Sequence, residues 1–221
     1  MKRLSFLLLG VILIVALLMT SCAKPLETIK IGVLLPFSGP LSEFGGAFQK
    51  AADLAAKHLD EAGVPVELIY ADTQTSAIPA VEAARKLVDI DQVVAVVGAA
   101  ASGVTVPVAE SVTIPRQVPQ ISYASTSPLI TILPADQGKN FVYRTGPSDA
   151  LQGVVLGRLA ADQGYKTVST IFVNNPYGQG LNDVFKAAFE AQGGRVLAEV
   201  PHDEKAAPTY VAELKKAAEG D

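Results

Sequence analysis

"VVAVVGAAASGVTVPVAESV", Val93–Val112, contains the two signals that decide the fold. Its first five residues are apolar without alternation, as in a strand covered on both faces of a sheet. Gly98 to Gly103 is then a run of small residues, and a short helical segment, "VTVPVAESV", follows. Pro107 stands near the expected first turn of that helix, where a missing N–H costs least. A buried strand, a small-residue turn and a helix form the repeating unit of a parallel α/β sheet.

The same alternation extends in both directions. Upstream, "TIKIGVLLP" gives a strand over Thr28–Leu35. "FGGAFQKAADLAAKHLDEAG" places Phe44, Phe48, Ala52, Ala55 and Leu59 at helical spacing and ends at Gly63. "VPVELIYAD" predicts a strand near Val66–Tyr70, and "AIPAVEAARKLVD" a helix. Downstream, "VPQISYA" and "FVYRTGP" predict strands, the second ending near Arg144. Gly146 and Pro147 then interrupt the pattern within "RTGPSDA". A second series follows: a helix over Asp149–Gln163, the strand "KTVSTIFVNN", the helix "GLNDVFKAAFEAQGG", the strand "RVLAEVP" and the helix "TYVAELKKAAEGD". The expected fold class is therefore α/β, two Rossmann-like lobes of parallel sheet flanked by helices. The lobes span 28–145 and 146–221. Two strands cannot bury both faces of a sheet, so the second lobe is expected to be incomplete in this chain.

The chain has 221 residues, 49% hydrophobic and 18% charged, which argues against disorder. "MKRLSFLLLGVILIVALLMTS", residues 1–21, has a positive start, an apolar run and small residues before Cys22, the pattern of an export signal. "LLMTSC" predicts lipid attachment at Cys22 and so a membrane anchor at the N-terminus, with Met19 where leucine is usual. A tether over residues 22–27 follows. Without residues 1–21 the chain carries 16 basic and 22 acidic residues, a net charge of about −6. That balance argues against nucleic acid as a partner. A single cysteine excludes an internal disulfide and a cysteine-rich metal site.

Ligands of open parallel sheets sit beyond the carboxyl ends of strands. Three such ends are small and hydroxylated: Pro36–Gly45, Gly98–Thr105 and Tyr123–Thr131. Ser102 is expected to cap the helix after it, and Thr126 or Ser127 the next turn, giving hydroxyl and amide donors for an anion. Catalysis finds little support. His58 and His202 adjoin no serine-bearing strand end, and no G-x-S-x-G elbow exists. Clustered metal ligands are lacking. Asp72 follows the second strand as a ribose acid would, yet no G-x-G-x-x-G follows the first, so Asp72 reads as a turn residue and no cofactor is expected.

"KIGVLLPFSGPLSEFG", "VVGAAASGVT", "QISYASTSPLIT", "YRTGPSDALQG" and "NNPYGQGL", in this order from about Ile29 onward, resemble the type I periplasmic binding proteins. The nearest group is the branched-chain amino acid (Leu/Ile/Val) binding family of ABC importers. The resemblance implies an exported, non-enzymatic binder of an amino acid or a related small polar ligand, working with permease subunits. It implies that Ser102 binds the ligand carboxylate, that Ala124 offers its carbonyl to the ammonium, and that Thr126 binds through hydroxyl and amide. Ser125 would lie at the pocket wall, and Tyr177 would close over the ligand from the second lobe. Phe44 stands where the family often has tyrosine. The family's acid for the ligand ammonium would lie beyond Asp221. A ligand-sensing domain for amides, a truncated non-binding remnant and a Rossmann-like nucleotide-dependent enzyme are the alternatives.

Overall fold

The computed structural model describes residues 27–205 and 209–219; the expected leader 1–21, Cys22 and all of the tether but Glu27 lie outside them. Five strands form one parallel sheet: β1 (Ile29–Leu35), β2 (Val66–Asp72), β3 (Ala95–Val97), β4 (Gln120–Ser122) and β5 (Val142–Arg144). Their spatial order is β2-β1-β3-β4-β5. The order reverses between β1 and β3, so the crevice of a doubly wound sheet opens beyond their carboxyl ends. The intervening helices are α1 (Gly45–Glu61), α2 (Ala77–Arg85) and α3 (Ser102–Val108).

β1 and β3 supply Leu34 and Val96, and α2 and α3 supply Ala80, Ala84, Val104 and Val108, to one apolar core. All six are at most 2% exposed, so this face of the sheet is closed. The opposite face differs from the two-sided cover expected for the β3 run. α1 packs mainly over β1 and β2, with Phe48 reaching Tyr123 after β4 at 4.8 Å between ring centroids, and Val94, Ile121 and Tyr143 stay exposed. Of the stripe expected along α1, Phe48 and Ala52 are half-buried, whereas Phe44, Ala55 and Leu59 face outward. Pro107 also differs from expectation. α3 starts at Ser102, so the proline lies inside the helix, and a π-type segment over Ala109–Thr113 follows it. A proline there removes one intrahelical hydrogen bond and favours such a rearrangement.

The second lobe begins with α4 (Asp149–Asp162) and continues with β6 (Thr167–Val173), α5 (Pro176–Glu190), β7 (Arg195–His202) and α6 (Val211–Ala218). β6 and β7 pair in parallel. Helix α5 packs on one face of the pair, α6 on the other, and α4 lies along α5. Among the described residues the other edge of β6 has no strand partner, and no helix is long and apolar enough to cross a membrane.

Candidate functional site

The carboxyl ends of β1, β3 and β4 are fixed by side chains from inside the sheet. Asp72, the last residue of β2, does more than turn the chain. Its Oδ1 accepts the N–H of Phe37, Ser38 and Gln74, and its Oδ2 accepts Ser38 Oγ at 2.6 Å. Burial pushes this carboxyl's pKa up, but the bonds from Ser38, Gln74 and Phe37 outweigh it and hold the group below its ordinary value. Thr75 Oγ1 accepts Leu41 N–H and donates to Ser38 O. Together Asp72 and Thr75 set the loop Pro36–Leu41 over the crevice. A depressed folded pKa stabilises the fold above the unfolded value and loses that stability as pH falls through the folded one. Asp72→Asn is therefore expected to flatten the loss of urea stability as pH falls below about 4. An unchanged acid limb would contradict the clamp.

Beyond β3 and β4 the hydroxyls divide into inward and crevice-facing groups. Ser125 is 1% exposed and turned into the sheet end: its Oγ lies 2.8 Å from Thr105 Oγ1 and donates to Ala99 O and Ala100 O. Ser122 Oγ donates to Ala99 O and accepts Ser125 N–H. Ser102 departs from its expected capping role. Ala101 is the cap residue, Ser102 is the first helical residue, and its Oγ accepts Ser127 N–H at 3.2 Å. Ser127 does cap its turn, its Oγ accepting Leu129 N–H, and the same hydroxyl donates to Pro176 O of the second lobe at 2.6 Å. Thr126 Oγ1 donates to Asp149 Oδ2 at 2.6 Å, and Asp149 N–H donates back to Thr126 O. Arg144 Nη1 donates to Ser127 O at 2.6 Å. Burial pulls the Arg144 pKa down, and the Asp149 carboxylate partly offsets this. Arg144 and Asp149, at the sequence joint, thus brace the turn that carries Thr126.

A cavity of about 330 Å³ lies where these ends meet the second lobe. Pro40, Leu41, Thr75, Ala100, Ala101, Ser102, Ala124 and Thr126 line one side; Val173, Asn175, Tyr177 and Glu204 line the other. Of the residues named from sequence, Ser102, Ala124, Thr126 and Tyr177 come together here. Ser125 lies behind the lining. Phe44 is elsewhere, exposed and stacked on Phe48 at 6.0 Å. Asn175 caps α5, its Oδ1 accepting the N–H of Tyr177 and Gly178. Asn175 and Glu204 were not singled out from sequence; the Asn-Pro pair of "NNPYGQG", a cap signal, marks the first, and nothing local marks the second. His58 is exposed, whereas His202 is half-buried against Tyr210 at 5.1 Å. Among the described residues no three histidine, cysteine or acidic side chains gather as a metal site.

The family model described as "Periplasmic binding protein" matches residues 28–219. The chain belongs to that family. Leu/Ile/Val-binding protein homolog 3 of Brucella melitensis is 32% identical over 180 residues, covering 79% of this chain and 46% of its own length. The leucine-binding protein of Thermotoga maritima superposes with a TM-score of 0.73 at 29% identity, over 87% of this chain and 53% of that one. A solute-binding protein of Rhodopseudomonas palustris, solved with 3,4-dihydroxybenzoic acid, gives 0.70 at 24% identity over 88% and 53%, a likeness of fold. This periplasmic binding protein chain thus spans about half the length of these relatives.

Proposed function

We propose that the cavity is the ligand site of an extracytoplasmic solute-binding lipoprotein, anchored through Cys22 and serving an ABC importer. Its ligand is an amino acid of branched-chain type or a related small polar molecule. The lobes 28–145 and 146–221 would close on it about the segment braced by Arg144 and Asp149. The observation that carries this reading is the meeting of Ser102, Ala124 and Thr126 with Tyr177 across one cavity. The named ligands of the Brucella and Thermotoga relatives support it.

The hydrogen bonds support a role for each residue in this reading. Ser102 Oγ already accepts Ser127 N–H, so its own proton is free for a ligand carboxylate. Thr126 has given its hydroxyl proton to Asp149, which leaves its N–H as the donor to the ligand. Ala124, exposed at the cavity, offers its carbonyl to an ammonium. A hydrogen bond to a charged group contributes about 1.5–3 kcal/mol. Two or three would supply much of the roughly 8 kcal/mol that micromolar affinity requires. Titration calorimetry with leucine, isoleucine and valine tests the reading. Ser102→Ala is expected to weaken the best of them by at least about tenfold. Unchanged affinity would overturn the carboxylate role.

A further inference from the structure

The two lobes touch through the helices that flank the cavity. α3 of the first lobe and α5 of the second lie in contact, and α5 also packs on the turn Pro128–Ile130. Of the described glycines, only Gly103 on α3 and Gly180 on α5 are placed so that the nearest atoms an added Cβ would meet belong to the opposite lobe. At Gly103 those atoms include the carboxylate of Glu204, an exposed side chain that can move aside. Gly180 is different. It is buried, and a Cβ there would lie 2.7 Å from Ser127 Oγ and 3.0 Å from Pro128 Cδ. Ser127 is fully buried and the Pro128 ring is tied to its backbone, so neither offers room. The Ser127 hydroxyl donates to Pro176 O, in the first turn of α5, and Ser127 N–H donates to Ser102 Oγ. Ser127 thus lies outside the cavity lining, yet it joins Ser102 on one wall to the residue before Tyr177 on the other. Gly178, two residues earlier on α5, marks the contrast: its Cβ would meet Val173 of its own lobe.

We propose that Ser127 and Gly180 form the seat on which the second lobe shuts against the first. The hydroxyl holds the start of α5, and the bare Cα of Gly180 lets that helix come down onto the Ser127–Leu129 turn. Residue 180 thereby sets how far the cleft closes, without lining the cavity itself. The inference rests on the reading of this cavity as the ligand site, because a ligand gripped from both walls needs the shut arrangement. A side chain at 180 leaves each lobe whole and shifts the population toward parted lobes, and apparent affinity falls with the fraction that stays shut.

Spin labels at Glu43→Cys and Lys205→Cys, exposed positions on the two lobes, read the separation directly in a Cys22→Ser background. Gly180→Leu is expected to lengthen the label distance and to weaken leucine by at least about tenfold, and Gly180→Ala to do less of both. Neither should melt earlier than wild type, since leucine and alanine are better helix formers than glycine. Ser127→Ala removes the bond to Pro176 without adding bulk and should broaden the distance distribution. Distances equal to wild type in both Gly180 variants overturn the seat. Earlier melting of both also overturns it, showing that Gly180 serves packing within its own lobe. A wild type that binds none of leucine, isoleucine and valine overturns the reading of the cavity as a ligand site, while the label distances still decide the seat.

Discussion

Gln120→Leu should lower the unfolding free energy by about 3 kcal/mol, among the largest losses available to a single polar side chain here. Gln120 is the first residue of β4 and is fully buried. Its Oε1 accepts Thr113 Oγ1 at 2.7 Å, and its Nε2 donates to Gly98 O at 3.1 Å and Thr105 O at 3.2 Å. One amide thus ties the end of β3, the α3 helix and its continuation into β4. Leucine keeps the volume and removes all three bonds, leaving a buried hydroxyl and the Gly98 carbonyl without this partner. The cost of an orphaned buried group is about 1–3 kcal/mol, larger than the net worth of a satisfied bond. The pair Gln120→Leu with Thr113→Val should therefore be less destabilised than the sum of the two changes. Urea unfolding followed by circular dichroism reads both. A loss below about 1 kcal/mol for Gln120→Leu would show that the network relaxes without the amide.

This network also shows which part of the molecule could be read from sequence. β1, the order of helices and strands, and the parallel character of the sheet follow from uninterrupted apolar runs set between helical periods. Gln120 follows no such rule. In "VPQISYA" it breaks an apolar run at a position where a core strand wants a hydrophobe. Its explanation lies 7 to 22 residues away in sequence, in Thr113, Thr105 and Gly98. The site divides in the same way. Ser102 and Thr126 stand at strand ends, which converge in a parallel sheet, whereas Ala124 entered through the family resemblance alone; all three line one cavity. Glu204 sits in a charged loop, "HDEK", and stays exposed; only its bond to Asn175 brings it to the cavity rim. Phe44 stands outside the cavity lining, stacked on Phe48, a contact that its spacing in the sequence does not specify. Next to it Gly45 permits a close approach of backbones, since a Cβ there would come within 2.6 Å of Pro36 O. The division of roles between Ser102 and Ser127 likewise depends on a helix start one residue earlier than a capping serine would require.

Gly157→Ala is expected to destabilise the second lobe by about 2 kcal/mol, although alanine is the better helix former by about 1 kcal/mol. The sign is decided by packing. Gly153 and Gly157 lie one turn apart on α4 and face α5. A Cβ at Gly157 would meet Ala188 Cβ at 2.8 Å and Phe189 N at 2.8 Å; one at Gly153 would meet Val184 Cβ at 2.8 Å and Phe185 N at 2.9 Å. These neighbours include backbone, which cannot rotate aside, so the helices must separate. Phe189, fully buried and stacked on Phe185 at 5.9 Å, would lose contacts in the process. The displacement also reaches the cavity, because α5 carries Tyr177 in its first turn and Asn175 at its cap, and Asn175 holds Glu204. Gly157→Ala should thus weaken leucine binding as well as stability, while the distant Ile78→Ala, on an exposed face of α2, should change neither. Thermal melts and calorimetry on both variants decide it. A Gly157→Ala protein that is more stable than wild type would mean that helix propensity prevails and that α4 and α5 can part without cost.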